Sequence, residues 1–404
     1  MKQGWEIKKL GDVCDVIGGG TPSKGNSKFY EGNILWATVR DMKGDFIKDT
    51  EHKITEDAVK NSSTNIIPKG NVVIATRVGL GKVCLIENDT AINQDLRGII
   101  PKKMSVVTVG YLFQWLKSIS YLIVEEGTGA TVQGVKLPFI KDLPIPLPPL
   151  HEQQRIVSIL DESFAAIAKA KANAEQNLRN AKEVFESYLQ GVFENKGDGT
   201  KSETLESLCE LIVDCEHKTA PTQETGYPSI RTPNIGKGVL ILENVNRVSE
   251  ETYMEWTRRA IPQANDLILA REAPAGNVAV IPENLEVCLG QRTVLIRPIK
   301  ERLNSKYLAS LLLSKNVQEK LLEHSRGATV AHINMKDIRA FKIFNLSSLS
   351  EQQTIVHKLD ALSSETKKLE AIYQQKINDL EEMKKSILQK AFEGKFKTEK
   401  VITV

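Results

Sequence analysis

The sequence predicts an α+β fold built from one unit of roughly 200 residues written twice, each copy a mixed α/β domain followed by a long helix. Three observations predict it. Leu150-His151-Glu152-Gln153-Gln154-Arg155-Ile156-Val157 is answered by Leu349-Ser350-Glu351-Gln352-Gln353-Thr354-Ile355-Val356, with Glu152 and Glu351 199 positions apart. Further on, Leu189-Gln190-Gly191-Val192-Phe193-Glu194 is answered by Leu388-Gln389-Lys390-Ala391-Phe392-Glu393, again 199 apart. Ahead of each match lie short β-rich stretches broken by Gly and Pro. An unbroken spacing is what a continuous helix imposes, because one inserted residue would rotate everything after it by about 100°.

The domains ahead of the helices match more loosely. Leu10 to Ile17 resembles Leu205 to Ile212, which sets Cys14 against Cys209. Ile67 to Arg77 (IPKGNVVIATR) resembles Ile261 to Arg271 (IPQANDLILAR), which sets Arg77 against Arg271. Gln94 pairs with Gln291, and Gly129-Ala130-Thr131-Val132 with Gly327-Ala328-Thr329-Val330. The spacing drifts along these segments, as small loop insertions require. Val72 to Thr76 and Lys82 to Ile86 read as strands of a mixed sheet, Tyr111 to Ser118 and Tyr307 to Leu313 as packed helices. Leu143-Pro144-Ile145-Pro146-Leu147-Pro148-Pro149 cannot be regular helix and reads as an extended strut leaving the domain.

Beyond the strut, Leu160, Phe164, Ile167, Lys171, Ala174, Leu178, Ala181, Phe185, Tyr188 and Val192 alternate steps of four and three, a heptad seam interrupted by Lys171. In the second copy Leu359, Thr366, Tyr373, Leu380 and Ile387 recur every seven, with Leu362, Leu369 and Met383 beside them. The two seams are expected to face each other. Ser350 with Gln353 reads as a capping box, and Gly197 and Gly394 as stop signals. Asn195 to Glu203 is polar and glycine-bearing, hence a linker. The expected partition is a first domain over 1–147, a first helix over 148–196, a linker over 197–203, a second domain over 204–346, a second helix over 347–398 and a tail over 399–404. A helix from Glu152 to Glu194 would run roughly 60 Å, longer than packing one domain needs, so a spacer is its natural use.

Composition excludes several classes. No signal sequence and no apolar run of about 18 residues is present. Five cysteines without a C-x-x-C pair argue against a disulfide framework or zinc ribbon and point to a reducing cytoplasm. A net charge of +3 is nearly neutral, so any nucleic-acid contact must come from locally placed basic residues. Gly79-Leu80-Gly81-Lys82 lacks the length and hydroxyl of a phosphate loop, and Gly18-Gly19-Gly20-Thr21-Pro22-Ser23-Lys24 has a misplaced lysine, reading instead as a flexible or ligand-contacting loop. Asp214-Cys215-Glu216-His217 offers metal-type donors, but no second cluster closes a coordination sphere, so no metal is expected. No nucleophile or carboxylate pair stands out, and no catalytic residue is expected. Two related but different heads on a spacer suit a protein that holds two different targets at a set distance.

Leu147-Pro148-Pro149-Leu150-x-Glu152-Gln153-Gln154, repeated as Leu349-x-Glu351-Gln352-Gln353, resembles the specificity subunits of type I restriction-modification enzymes. Trp5-x-x-x-x-Leu10-Gly11-Asp12-Val13, Gly20-Thr21-Pro22 and Asp214 to Thr219 are also similar to segments that start target-recognition domains in that family. The resemblance implies two target-recognition domains, each reading half of a split DNA site, with the two helices packed as an antiparallel coiled coil that sets the gap. It also implies a non-catalytic chain with no cofactor of its own. Two adenine methyltransferase subunits would supply S-adenosylmethionine chemistry, and restriction subunits would bring ATP and magnesium. A methyltransferase-only system, an unfamiliar enzyme and a protein-binding scaffold are the rival readings.

Base readout needs Arg for guanine and Asn or Gln for adenine, whereas phosphates take Lys, Arg and hydroxyls. In the first head the candidates are Thr21, Lys24, Arg40, Arg77, Gln94 and Arg97; in the second, His217, Lys218, Arg231, Asn234, Arg271, Gln291 and Arg292. Matched pairs are expected to serve phosphate contact or fold, and unmatched residues such as Arg97 and Asn234 to serve sequence choice. Glu152, Gln153, Gln154, Glu351, Gln352 and Gln353 stand at helix starts. There Glu stabilises the first turn, and the junction is the expected docking point for the methyltransferase subunits.

Overall fold

A computed structural model describes residues 4–127, 134–194, 201–323 and 332–395. The paired segments Gly129 to Val132 and Gly327 to Val330, and the stop signal Gly197, lie outside the described residues.

The first head is built on two sheets. One has five strands in the order Cys14–Gly18, Leu96–Pro101, Val72–Ala75, Val83–Ile86, Phe46–Ile47, antiparallel except for its last pair. The other runs His52–Ile54, Ile34–Ala37, Thr90–Ile92, Asn65–Ile67, with Ile34–Ala37 parallel to Thr90–Ile92. Val72–Ala75 is buried along its whole length, so it reads as an apolar run without alternation. Helix Val109–Ser118 seals the first sheet, burying Tyr111, Leu112, Trp115 and Leu116 against Val72, Ile74 and Ile99. Thr108 caps that helix, accepting from the Tyr111 amide.

Among the described residues the second head repeats this plan with fewer strands. Its sheets run Cys209–Asp214, Thr293–Pro298, Leu267–Ala270, Val278–Val280, and Arg247–Val248, Tyr227–Ile230, Cys288–Leu289. Helix Ser305–Leu313 takes the place of Val109–Ser118, burying Tyr307, Leu308 and Leu311.

The proline-rich segment is extended, but it does not leave the domain as a free strut. Pro144–Leu147 pairs antiparallel with Glu6–Lys9, with Leu143, Ile145 and Leu147 buried between exposed or half-buried prolines. An edge strand tolerates proline because one side of it makes no ladder bonds. Ser202–Thr204 pairs with Lys342–Phe344 in the same way, so the last residues of the expected linker belong to the second head.

The long helices run Leu150–Phe193 and Leu349–Phe392, 44 residues each. They do not stand apart from the heads as the linear partition supposes. Contacts divide the chain into one unit of residues 1–174 with 375–404 and another of residues 175–374, so each helix begins in one unit and ends in the other. In the first unit the helices lie antiparallel. Lys171 Nζ reaches Glu381 Oε1 at 2.5 Å, Lys384 sits over the Phe164 ring, and Ala391 is buried with Ile156 and Leu160. In the second unit Leu189 and Phe193 pack with Ile355, Val356 and Leu359. The helix tips close the head cores by the same contact twice: Tyr111 meets Phe392 and Tyr307 meets Phe193, each pair with ring centroids 5.2 Å apart, edge to face.

Most seam residues face inward, with three exceptions. Tyr188, Leu369 and Met383 are exposed; beside them Leu189 is buried and Glu370 and Lys384 are half-buried. The cap of the second helix also sits earlier than the sequence suggests. Ser348, not Ser350, is the capping residue: its amide and hydroxyl donate to Glu351 Oε2 at 2.9 Å each. Gly394, at φ +71°, follows the last helical residue as a left-handed stop.

Candidate nucleic-acid interface

At one end of the first head, a hollow of about 750 Å³ gathers Thr21, Lys24, Arg40 and Gln94 around Tyr30, Trp36 and His52. The glycine loop that delivers Thr21 is packed, not flexible. A Cβ on Gly19 would lie 2.2 Å from the carbonyl oxygens of Ile92 and Asn93, and one on Gly20 would strike Ser63 and Thr64. The Gly20 carbonyl accepts from Trp36 Nε1 at 3.1 Å and from the Thr64 hydroxyl at 2.8 Å. Thr21 then contacts the Gln94 side chain through its hydroxyl. Tyr30 packs edge-on against Trp36 and His52 is tilted against it, so the hollow is lined by an aromatic cluster as well as by polar side chains. Tyr30, Trp36, His52 and Asp95 are members that residue type and spacing do not single out.

Arg77 and Arg97 adjoin this hollow through Gln94 and Asp95. Arg97 donates to the Gln94 carbonyl at 3.1 Å, and Arg77 pairs with Asp95 at 3.7 Å. The Arg97 guanidinium is pushed below its usual pKa by burial and then by Arg77. Two crowded guanidinium groups beside one half-neutralising carboxylate form a local positive site on a chain of nearly neutral charge.

The second head distributes its candidates differently. His217, Lys218, Arg231 and Arg292 are exposed, and Gln291 reaches toward the His217 carbonyl at 3.5 Å. Arg271 is inside. Its guanidinium donates to Asp214 Oδ2 at 2.7 Å and to the Ile333 carbonyl at 2.8 Å, and lies 3.0 Å from His332 Nε2. These contacts make it a framework residue. Its match with Arg77 is also displaced. The Thr76 amide donates to the Asp95 carbonyl as the Arg271 amide donates to that of Arg292, and Val135 and Ile333 donate back to Thr76 and Arg271. Thr76 therefore occupies the place of Arg271, and a slip of one residue in a strand turns a side chain to the other face. Asn234 is likewise buried and matched: its Oδ1 accepts from the Arg231 amide as Asp41 Oδ2 accepts from the Thr38 amide. It shapes the turn that presents Arg231.

The metal-type cluster Asp214, Cys215 and His217 brings three donor atoms within 4.8 Å of one another. Within it Arg271 pairs with the Asp214 carboxylate, and burial raises the Cys215 pKa. Burial likewise pushes the matched thiols of Cys14 and Cys209 up to about 12 each. A thiol so protonated is no nucleophile at neutral pH.

At the helix starts, Gln153 and Gln352 are fully buried clamps, which corrects their expected place on a docking surface. Gln153 Oε1 accepts from the Thr108 amide at 3.0 Å, while Nε2 donates to the carbonyls of Val106 at 2.8 Å and Pro148 at 3.0 Å. Gln352 does the same with the Asn304 amide and the carbonyls of Arg302 and Ser347. Each amide bolts the first turn of a long helix to the head that precedes it. Glu152 holds Trp5 Nε1 at 3.2 Å, and Glu351 is the cap described above. Gln154 and Gln353 are exposed.

Both copies of the unit match the type I restriction modification DNA specificity domain, over residues 2–176 and 199–382. The MjaIX specificity subunit of a type I restriction enzyme from Methanocaldococcus jannaschii is 24% identical over 98% of this chain and 94% of its own length. The EcoR124I/EcoR124II specificity subunit of Escherichia coli is 36% identical over 39% of this chain and 40% of its own. Among solved structures, a chain from a study of complex assembly and conformational transition of the type I R-M system superposes with a TM-score of 0.76 at 19% identity, covering 98% of this chain and 99% of that one. The HsdS subunit from Thermoanaerobacter tengcongensis gives 0.63 at 19% identity, with 98% of each chain covered. No helix among the described residues is long and apolar enough to cross a membrane. With the family model matched twice and the duplicated frame present, the chain belongs to the type I restriction-modification DNA specificity family, as a non-catalytic specificity subunit with two target-recognition domains.

Proposed function

We propose that each head reads one half of a bipartite, asymmetric DNA site. The two 44-residue helices would fix the gap between the halves. Two adenine methyltransferase subunits, and restriction subunits with them, assemble on the chain in the cytoplasm. S-adenosylmethionine, ATP and magnesium belong to those partners. The observation that carries the reading is the contrast between frame and rim. Gln153 and Gln352 repeat bond for bond, while the exposed polar residues of the two heads differ in kind and position. Identical heads would favour a palindrome, and diverged heads favour an asymmetric target.

In the first head, Arg40, Lys24, Arg77, Arg97, Thr21 and Gln94 form the reading edge; in the second, His217, Lys218, Arg231, Gln291 and Arg292 form it. Gln154 and Gln353, exposed beside the clamps, are the helix-start residues left for methyltransferase docking. Replacing residues 1–147, up to the strand that closes the first head, with another head of the family tests this. Mapping methylated adenines genome-wide should show one half-site changed and the other half and the gap retained. Alteration of both halves would refute independent reading.

A further inference from the structure

The ladders that equate Thr76 with Arg271 also equate Arg77 with Glu272 and Asp95 with Arg292. Each head joins these two positions by an ion pair, with the charges exchanged. In the first, Arg77 pairs with Asp95 at 3.7 Å; in the second, Arg292 Nε pairs with Glu272 Oε2 at 3.0 Å. In both the acid is the sheltered member and the arginine the open one, at 45% and 59% side-chain exposure.

Resting on the reading that these heads bind DNA, we propose that this exchanged ion pair is a specificity determinant. The first head offers its arginine from the loop after strand Val72–Ala75, the second from the loop before strand Thr293–Pro298. One guanidinium then addresses a different base in each half-site, although the frame beneath is shared.

Among the described residues the second head carries a brace that the first lacks. Glu272 Oε1 lies 2.6 Å from His332 Nδ1, His332 Nε2 lies 3.0 Å from Arg271 Nη2, and Arg271 Nη1 donates to Asp214. Arginine can only donate, so Nε2 is an acceptor and Nδ1–H donates to Glu272. That fixes the imidazole tautomer and leaves Glu272 Oε2 turned to Arg292. In the first head Thr76 stands in the place of Arg271, and the ladder sets Gly18 opposite Arg97 as it sets Asp214 opposite Val294. Arg292 needs the brace more, because it sits at φ +65°, a left-handed conformation that a non-glycine residue keeps only where its contacts fix it. His332, Arg271 and Asp214 are thus positioning residues, acting on DNA through Glu272 and Arg292.

The test uses the full chain assembled with its methyltransferase subunits, and a randomised duplex pool from which preferred sites are selected. Arg292→Gln should weaken binding to the parent's preferred duplex by roughly tenfold or more and relax the second half-site alone. Combined Glu272→Arg and Arg292→Glu restores the ion pair in the polarity of the first head, and should shift second-half preference while leaving the first half unchanged. His332→Ala should weaken binding in the parent and add nothing in an Arg292→Gln background, whereas a merely structural histidine would cost the same in both. Parent-like affinity and site preference for Arg292→Gln would overturn the proposal, even if the exchanged variant does not fold. So would a folded exchange variant with parent preference, or an additive His332→Ala. A parent complex that selects no sequence at all would instead overturn the DNA-reading function itself.

Discussion

The two heads share the buried bonds that join each to its long helices and differ in much of what they expose. Each has a tyrosine on its sealing helix meeting the tip of a long helix, and each has a glutamine bolting a helix start to the sheet domain. Yet the large hollow of the first head gathers Trp36 and Thr38, at the far end of strand Ile34–Ala37. In the second head a hollow of about 830 Å³ surrounds Gly226 and Tyr227, at the near end of the matching strand Tyr227–Ile230. Duplication has preserved the contacts between head and helix. Loops answer only to their ligand, and here they have diverged even in the sign of a charge at a shared position.

The largest effect expected from breaking this likeness lies at the clamps. Gln153→Ala and Gln352→Ala each remove three hydrogen bonds from a buried site and strand an amide and two carbonyls, so a loss of about 3 kcal/mol or more is expected from either. Denaturant unfolding of the full chain measures it. A loss near 3 kcal/mol from one and below about 1 kcal/mol from the other would mean that the shared geometry does not carry shared energetics.

Next comes the framework position where the heads differ. Arg271→Met leaves Asp214 sheltered without its cation and should cost about 3 kcal/mol. Thr76→Val, at the same place in the first head, gives up one long hydrogen bond of 3.3 Å to the Asp95 carbonyl and should cost about 1 kcal/mol. Equal losses in an unfolding titration would contradict the framework role assigned to Arg271.

The duplicated plan was legible because helices forbid insertions and buried strands keep their apolar runs. Val72–Ala75, the two sealing helices and both 44-residue helices fall where periodicity puts them. What periodicity could not see was register. Sequence identity set Arg77 against Arg271, but the strand ladders set Thr76 there, and one residue separates an exposed arginine from a buried one. The glutamines of the helix-start motif looked like surface residues because glutamine usually is one. Only the neighbouring carbonyls of Val106 and Pro148, set by tertiary packing, reveal the clamp. Four of six candidates in the first head meet at one hollow, since they flank glycine turns and strand ends that the sheet brings together. Trp36 and His52, also lining it, carry no signal in sequence beyond their residue type.

A smaller effect separates reading from folding. Arg40→Ala removes a side chain 79% exposed, so thermal unfolding should be unchanged. If Arg40 meets a phosphate, the slope of log affinity against log salt should fall by about 0.9. Arg231→Ala in the second head should do likewise without touching first-half preference. A drop in melting temperature with an unaltered salt slope would recast either residue as part of the frame.

The smallest expected effect lies in the helices. Lys171 breaks the apolar seam of the first helix, and the matching position of the second holds Glu370. The Lys171 ammonium reaches across to Glu381, and that hydrogen bond holds the Glu381 carboxyl below its ordinary 4.5. A carboxyl depressed in the folded state stabilises fully above its unfolded pKa and loses that contribution as pH falls through the lower, folded one. Both partners are over a third exposed, so solvent screening keeps the pair below about 1 kcal/mol. Lys171→Met should therefore unfold within about 1 kcal/mol of the parent at neutral pH, the gain of an apolar seam residue offsetting the lost pair. As pH is lowered from about 5 to about 3, the parent should lose stability faster than the variant. A difference between the two that stays flat across that window would show that Lys171 fixes register by shape alone, with no charge in it.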